Sequence, residues 1–286
     1  MKRNKPCLKR RKIMKLLHYK TDDGIKLAVQ NENGIFELPY KLEQLFEMDA
    51  KQLEEVEKTA VNAVDENGLV YAPSVPKPGK ILCIGLNYYA HGKEIKMNIP
   101  ATPTVFSKFN NALAAHNDEI KLPKEAYKFD YEAELVIVIG KKGKDIPEKD
   151  ALSHVFGYTV GNDFSARDLQ LLTGQWLLGK SCDQFAPLGP CIVTAEGIDP
   201  QKLDIGCRVN GETVQSSNTE NMIFDCAFLI SYISKYITLE PGDVIFTGTP
   251  SGVILGKAEG EQNWLKQGDE VEVFVENIGS LKNKLA

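Results

Sequence analysis

The stretch DYEAELVIVIG, residues 130–140, predicts a buried β-strand that begins with closely spaced acids. Successive side chains of a strand point to opposite faces, so alternate residues share a face. One face would carry Tyr131, Ala133, Leu135, Ile137 and Ile139, and the other Glu132, Glu134, Val136 and Val138. Because the two glutamates share their face with valines, that face does not resemble a plainly solvated surface.

Paired carboxylates on such a face indicate a bound cation. Two acids in partly apolar surroundings repel each other and resist ionisation, and a cation relieves both effects. A second predicted strand, residues 157–162, ends at Asp163 and offers a third carboxylate. Three carboxylates with water suit octahedral Mg²⁺ or Mn²⁺. Two alternatives stay open at this point: solvated acids at an exposed strand end, and a turn or capping role for Asp163.

Beyond residue 80 the sequence predicts many strands and few long helices. The predicted strands are 80–86, 134–140, 155–163, a hairpin at 207–215, 243–250 and a final strand at 270–279, with one helix at 229–236. Asn210-Gly211 supplies the turn of the hairpin. This content favours a β-rich α+β fold, a sandwich or roll, over a doubly wound α/β sheet.

Residues 14–75 predict a small α+β module before a main domain at residues 80–283. Short strands with tight turns at Asp23-Gly24 and Asn33-Gly34 precede a segment with helical spacing at 41–60. The first thirteen residues, MKRNKPCLKRRKI, are strongly basic. We interpret them as a disordered extension with Met14 as the real start, and a nucleic-acid arm or organelle-targeting role is the alternative.

Composition narrows the class of protein. The chain has 286 residues and a net charge of −5, which argues against nucleic acid or anionic lipid as a partner. No apolar run approaches the ~20 residues of a membrane helix, so a soluble, cytoplasmic protein is expected. None of the six cysteines forms a C-x-x-C pair, and a multi-histidine metal site would need most of the four histidines. Carboxylates are therefore the expected metal ligands.

The segment NYYAHGKE, residues 87–94, places His91 three positions before Glu94. On a helical turn the two side chains would share a face, and a carboxylate beside an imidazole fixes its tautomer and raises its basicity. Such a pair can act as a general base towards water. A surface pair without chemistry is the alternative, and Gly92 predicts a short, mobile segment.

Two further segments offer groups for an anionic substrate. Lys180 lies in GKSCDQFAPLGP, residues 179–190, which the glycines and prolines predict to be a loop. This lysine can pair with a substrate carboxylate or stay solvated. Residues 247–252, TGTPSG, follow a strand and can hold an anionic oxygen with backbone amides and hydroxyls. P-loop, G-x-S-x-G and H-E-x-x-H patterns do not occur, which argues against the enzyme classes built on them.

Taken together, these segments resemble the fumarylacetoacetate hydrolase family, specifically its shorter bacterial-type members. Seven matching stretches occur in order: GLNYYAHGKE, DYEAELVIVIG, GYTVGNDFSARDLQ, GKSCDQFAPLGP, VNGE, LEPGDVIFTGTPSGV and GDEVEVFVENIG. This group includes acylpyruvate hydrolases, oxaloacetate decarboxylases and 2-hydroxyhepta-2,4-diene-1,7-dioate isomerases. The resemblance implies a mixed β-sandwich roll preceded by a small N-terminal module, and a homodimer.

The resemblance also implies roles for individual residues around a Mg²⁺ or Mn²⁺ ion. The implied site residues are His91, Glu94 and Lys180 for catalysis, Gln170 and Thr249 for substrate binding, and Glu132, Glu134 and Asp163 as metal ligands. His91 and Glu94 would lie on a lid, which we expect to continue through residues 95–104.

The function predicted from these features is divalent-metal-dependent cleavage of a carbon–carbon bond in a small 2-oxo acid. Acylpyruvate hydrolysis and oxaloacetate decarboxylation both pass through an enolate that the metal would stabilise. The His91–Glu94 pair favours cleavage, because attack by water needs a base. The first alternative is a 2-hydroxyhepta-2,4-diene-1,7-dioate isomerase, which needs only proton movement around the same enolate. The second is a non-catalytic, metal-dependent oxo-acid binding protein, although a pure binder has no use for a base.

Overall fold

A computed structural model describes residues 13–95 and 100–286, so the basic extension lies outside the described residues except for Ile13. The strands are β1 Lys15–Thr21, β2 Gly24–Asn31, β3 Gly34–Glu37, β4 Ala63–Val64, β5 Ile81–Gly85, β6 Thr104–Lys108, β7 Leu113–Ala114, β8 Glu119–Ile120, β9 Phe129–Asp130, β10 Ala133–Ile139, β11 Val155–Asn162, β12 Ser165–Ala166, β13 Ala186–Thr194, β14 Asp204–Val209, β15 Glu212–Asn218, β16 Val244–Phe246, β17 Glu270–Val275 and β18 Gly279–Leu285. The helices are α1 Leu42–Phe46, α2 Ala50–Val56, α3 Tyr89–Glu94, α4 Glu148–Ala151, α5 Arg167–Gln170, α6 Leu177–Lys180 and α7 Cys226–Ser234.

Two mixed sheets make up most of the molecule. The larger sheet has the order β4-β3-β2-β1-β13-β11-β10-β16-β5-β6, with β7 paired to β13. The smaller sheet has the order β15-β14-β17-β18-β8, and β9 pairs with β12 in a short ribbon. The N-terminal strands extend the larger sheet, because β1 pairs antiparallel with β13 through Lys15–Val193 and Leu16–Ile192. Many strands and few helices confirm the predicted β-rich α+β class.

Strand β10 is the centre of the architecture, and all seven of its residues are buried. Its side chains alternate between two faces, as the sequence predicted, and each face packs into a separate apolar core. Leu135 and Ile137 belong to the core shared with Val273 of the smaller sheet. Val136 and Val138 belong to a second core that contains much of the N-terminal segment. Burial of each such side chain stabilises the fold by roughly 1.5–3 kcal/mol, so β10 is held firmly between two layers.

Helix and turn positions follow from local chemistry. Helix α7 begins three residues before the predicted helix at 229–236, because Asp225 caps it by accepting a hydrogen bond from Phe228 N at 2.7 Å. The predicted hairpin turn is present, with Asn210 at φ 52° and Gly211 at φ 84°. None of the helices within the described ranges is long and apolar enough to cross a membrane.

The prediction of β17 as the final strand was wrong. The chain turns at Asn277 and returns as β18, which pairs with every residue of β17. Leu281, Asn283 and Leu285 of β18 are buried. The buried amide of Asn283 interrupts the apolar alternation and hides the strand in the sequence. It is satisfied by the carbonyls of Ala115 and Asp118, at 2.9 Å each.

The prediction of a loop over residues 179–190 was right only for residues 181–185, which lie in neither a helix nor a strand. Lys180 is the last residue of helix α6, and the strand β13 begins at Ala186. Pro190 lies within a register shift between β11 and β13, where the ladder is irregular, and Pro187 is paired with Ala114 of the two-residue strand β7. Proline therefore marks an irregular strand here, not an absence of structure.

Candidate active site

Three buried carboxylates converge where β10 and β11 lie side by side. The antiparallel pairing places Ala133 opposite Asn162, and Asp163 N donates to the Glu132 carbonyl at 3.0 Å. Carboxylate oxygens of Glu132, Glu134 and Asp163 all lie within 4.8 Å of one another. The sequence therefore identified residues that the fold brings together, and their role as metal ligands stays a prediction.

Two buried lysines border this cluster. Lys180 Nζ donates to Glu132 Oε2 and to Asp163 Oδ2, both at 2.7 Å. Burial alone would lower the pKa of Lys180, but the charges of Asp163 and Glu132 raise it, so the ammonium form persists. Lys108 Nζ, which the sequence analysis missed, pairs with Asp163 Oδ1 and donates to the Phe164 carbonyl at 3.0 Å. Strand β6, TVFSK, ends in this lysine, and nothing in that mixed sequence marks it as buried.

Arg167 is the second residue at the cluster that was not predicted from the sequence. Its guanidinium donates to Glu132 Oε1 at 2.7 Å, to Asp130 Oδ2 at 2.9 Å and to Gln170 Oε1 at 2.9 Å. Asp130 is fully buried and also accepts from the backbone of Ile254 at 2.8 Å. Because Gln170 Oε1 accepts from Arg167, the amide Nε2 is the group left to donate to a ligand. The basic residue in GNDFSARD, four positions after Asp163, was the available signal.

The acids of the cluster differ in their electrostatic surroundings. Burial would raise the pKa of Glu132, but the adjacent Lys180 and Arg167 hold it well below its usual range. The pKa of Glu134 is raised well above its usual range by burial, and then by the charges of Asp163 and Glu132. Glu134 accepts a hydrogen bond from Gly248 N at 2.7 Å.

This imbalance fits a divalent cation. Within residues 13–95 and 100–286 no basic side chain forms an ion pair with Glu134, and the charge of nearby Lys180 does not offset the effects of burial and of the neighbouring acids. Three carboxylate oxygens at short mutual distance are the donor set that hard cations such as Mg²⁺ and Mn²⁺ prefer. A cation between them would stabilise the ionised form of Glu134.

The predicted contact between His91 and Glu94 is present on helix α3. His91 Nδ1 lies 3.4 Å from Glu94 Oε2, and Glu94 also accepts from Gly252 N at 3.0 and 3.1 Å. His91 is buried, 5% exposed, and lines the same pocket as Glu132. With Nδ1 directed at Glu94, Nε2 is the nitrogen that can exchange a proton with a ligand. Of the expected lid at 95–104, residues 96–99 lie outside the described residues.

A small pocket of about 70 Å³ lies between His91 and Glu132. The polar residues that line it are His91, Glu132, Arg167, Gln170, Lys180 and Thr249. Thr249 Oγ1 accepts from Gln215 Nε2 at 2.9 Å, which holds the loop at 247–252 against the site. A larger cleft of about 590 Å³ beside α2 is lined mainly by apolar residues and lies away from the carboxylate cluster. The chemistry therefore selects the smaller pocket as the candidate active site.

The sandwich fold and the buried carboxylate cluster beside a His–Glu pair define a class of enzyme. Residues 80–286 match the model of the family described as fumarylacetoacetate (FAA) hydrolase C-terminal, and the chain belongs to this family. The resemblance inferred from the sequence is confirmed.

Relatives of known name are similar over most of the chain. The oxaloacetate tautomerase fahd2, mitochondrial, of Xenopus laevis is 41% identical, over 94% of this chain and 89% of the relative. The oxaloacetate tautomerase FAHD2A, mitochondrial, of Homo sapiens is 46% identical, over 76% of this chain and 69% of the relative. These curated names, with the family, identify the chain as an enzyme.

Solved structures share the fold. A putative HpcE protein from Mycobacterium smegmatis superposes with a TM-score of 0.85 at 33% identity, over 95% of this chain and 99% of that one. A 2-hydroxyhepta-2,4-diene-1,7-dioate isomerase from Mycobacterium marinum superposes with a TM-score of 0.79 at 32% identity, over 96% and 98%. The predicted fold type is therefore confirmed.

Proposed function

We propose that this enzyme interconverts the enol and keto forms of oxaloacetate with the help of a divalent cation. The observation that carries the proposal is one small pocket lined both by His91 of the His–Glu pair and by Glu132 of the carboxylate cluster. The names of the relatives from Xenopus laevis and Homo sapiens support oxaloacetate tautomerisation as the reaction.

Tautomerisation moves a proton between the oxygen on C2 and the carbon C3, and the His91–Glu94 pair can perform both transfers. His91 Nε2 would take the enol proton, Glu94 would stabilise the imidazolium, and His91 would return a proton to C3. No atoms are gained or lost. The pocket excludes bulk water from the histidine, which is 5% exposed.

The basic and amide groups of the pocket suit the substrate carboxylates. Lys180 is charged and buried beside the carboxylate cluster, and Gln170 Nε2 is available to donate. A cation held by Glu132, Glu134 and Asp163 would act as a Lewis acid towards the negative charge on the substrate oxygens. Mg²⁺ and Mn²⁺ are the proposed ions.

Carbon–carbon bond cleavage is the second candidate function. The cleavage predicted from the sequence, acylpyruvate hydrolysis or oxaloacetate decarboxylation, is favoured by the same His91–Glu94 pair, which can also activate water. The isomerase alternative is supported by the name of the Mycobacterium marinum structure. The non-catalytic binding alternative loses support, because the chain belongs to a family of enzymes.

The test follows the enol absorbance of oxaloacetate and the release of pyruvate in the same samples. Wild-type protein with Mg²⁺ is expected to accelerate loss of the enol form without pyruvate release, and His91→Ala is expected to abolish the acceleration. Lys93→Ala, an exposed change on the same helix, serves as the control. Pyruvate release from oxaloacetate or acetylpyruvate would instead establish cleavage. If wild-type protein with Mg²⁺ does not change the rate at which the enol form is lost, the proposed activity is excluded.

A further inference from the structure

The pocket is polar on one side and apolar on another. Besides its polar residues, it is lined by Ile84, Gly85, Leu86, Ile95, Phe106, Leu171, Trp176 and Leu255. At about 70 Å³ it is much smaller than the roughly 300–1,000 Å³ of pockets that hold drug-sized ligands. Pocket size therefore restricts the substrate, and one group of side chains fixes that size.

Two aromatic rings form the apolar side next to Lys180, and we call Phe106 and Trp176 the aromatic wall. Lys180 Nζ lies 5.2 Å from the centre of the Phe106 ring. The Phe106 and Trp176 rings meet edge to face, with centroids 5.4 Å apart. Contacts therefore run from the carboxylates to Lys180, then to Phe106, and then to Trp176.

The position of Trp176 is fixed by its neighbours. The indole lies against the backbone of Gly85 at the end of β5, where a Cβ atom would be 2.7 Å from Trp176 Cζ3. The Trp176 carbonyl accepts from Gly179 N at 3.0 Å and Lys180 N at 3.1 Å, so the ring and the catalytic lysine belong to the same turn of α6. A ring held in this way cannot withdraw easily from a longer ligand.

We infer that the aromatic wall sets the length of the substrate and limits the enzyme to 2-oxo acids of about four carbons. This inference rests on the proposed function, since it assumes that the oxo-acid end binds at Lys180 and the carboxylate cluster. The remainder of the substrate then extends towards Phe106 and Trp176. A longer chain collides with the wall, whereas removing the indole opens the space it occupied.

The inference separates this chain from an enzyme for long substrates. A seven-carbon dioate, as named for the Mycobacterium marinum structure, carries three carbons more than oxaloacetate. A hydrophobic pocket discriminates by roughly 10- to 200-fold for a single methylene group. The wall therefore suffices to exclude such a substrate without any further charged residue.

The experiment measures binding, so that it does not depend on turnover. Straight-chain 2-oxo acids from three to six carbons are titrated calorimetrically into the full chain with Mg²⁺. The wild type is expected to lose affinity by roughly tenfold or more when the chain passes four carbons. Trp176→Ala is expected to bind the six-carbon acid with an affinity within about threefold of that for the four-carbon acid. For Trp176→Phe, the ratio of these two affinities should lie between those of the wild type and Trp176→Ala.

Two controls make the outcome decisive. Leu172 lies between helices α5 and α6, is 70% exposed and does not line the pocket. Leu172→Ala should therefore keep the wild-type dependence of affinity on chain length. In a Trp264→Phe background, Trp176 is the only tryptophan, and short acids should change its fluorescence. An equal length profile in wild type and both Trp176 variants would overturn the wall's role alone. Failure of every acid to bind wild type would overturn the proposed function and the wall together.

Discussion

At the scale of single residues, Glu94 connects the candidate proton-transfer group to the body of the enzyme. Its carboxylate contacts His91 Nδ1 at 3.4 Å and accepts from the Gly252 backbone at 3.0 Å. The Glu94 carboxylate therefore orients the imidazole and also attaches helix α3 to the loop that contains Thr249. A neutral amide at this position would keep some of the hydrogen bonding and lose the charge that favours imidazolium.

This separation of charge from shape gives a prediction. Glu94→Gln is expected to lower kcat for oxaloacetate tautomerisation by roughly 100-fold while KM changes little, because general acid–base catalysis contributes about 10²–10⁴-fold. Steady-state kinetics at saturating Mg²⁺ measures it. Lys93→Ala, on the same helix, should retain wild-type kcat. A kcat for Glu94→Gln within threefold of wild type would contradict the role of the pair.

His18, which is buried and does not line the candidate active site, offers a test of stability against pH. Burial lowers its pKa from 6.5 to about 4, although Nδ1 donates to the Ser74 carbonyl at 2.9 Å. Because the folded-state pKa lies below the unfolded one, this neutral histidine favours folding above pH 6.5. Its stabilising effect is lost as pH falls towards 4.

The free energy of unfolding is therefore expected to fall by roughly 3 kcal/mol between pH 6.5 and pH 4. Urea unfolding at a series of pH values measures it. His18→Gln should show a correspondingly shallower decline, while His154→Gln, a partly exposed control, should follow the wild type. Parallel profiles for His18→Gln and wild type would refute the assignment.

At the scale of elements, the pairing of β10 with β11 creates the carboxylate cluster. Gly161 of β11 lies opposite Glu134, and its missing side chain leaves room for Phe246 and Val136 beneath the site. A Cβ atom at Gly161 would lie 2.6 Å from Val136 Cγ2 and would also meet the Phe246 ring. The side chains of Val136 and Phe246 can therefore pack over β11 in this way only with glycine at that position.

Gly161→Ala is expected to lower the free energy of unfolding by about 1–3 kcal/mol through overpacking. Gly174→Ala is the matched control, because a Cβ there meets no atom within 4 Å. Urea denaturation of both variants and wild type provides the comparison. Equal urea midpoints for the two alanine variants would contradict the prediction, because they would show that the side chains around Gly161 rearrange to accommodate a methyl group.

At the scale of the whole molecule, the carboxylate cluster is both a functional and an energetic feature. Glu132 and Asp163 have cationic neighbours in Lys180, Arg167 and Lys108, whereas the pKa of Glu134 is raised by burial and by the other acids. A cation that binds only the folded chain stabilises it by mass action, by about 2.7 kcal/mol at a concentration 100 times Kd.

Mg²⁺ and Mn²⁺ are therefore expected to raise Tm by several degrees, and a chelator should reverse the shift. Glu134→Gln should remove the shift without lowering the metal-free Tm, because it replaces a carboxyl group whose ionised form burial and the neighbouring acids disfavour. Glu212→Gln, on the exposed hairpin, should retain the shift. Differential scanning calorimetry reports both quantities. A metal-dependent shift that persists in Glu134→Gln would exclude this cluster as the binding site.

The N-terminal strands belong to the same sheet as the candidate site. β1 pairs with β13, and Leu16 and Leu27 share a core with Val136. The basic extension at residues 1–13, a cytoplasmic location and a homodimer stay predictions. The names of the relatives describe those proteins as mitochondrial.

The sequence by itself determined the strands that have strong local signals. The alternation in residues 131–139 predicted which side chains share each face of β10, and Asn210-Gly211 predicted a hairpin, because both depend only on neighbouring residues. The same alternation placed Glu132 and Glu134 together. The His91–Glu94 contact followed from helical spacing.

Only the tertiary structure decided which distant side chains reach the carboxylates. Lys108 and Arg167 lie 55 and four positions from Asp163 in the chain, and no local pattern says that both would be buried beside the cluster. Trp176, which precedes helix α6, became part of the pocket because Gly85 at the end of β5 leaves space for its ring. Local propensity fixes the elements, but long-range packing and the pairing of buried charges fix the site, since burial requires each charge to find a partner.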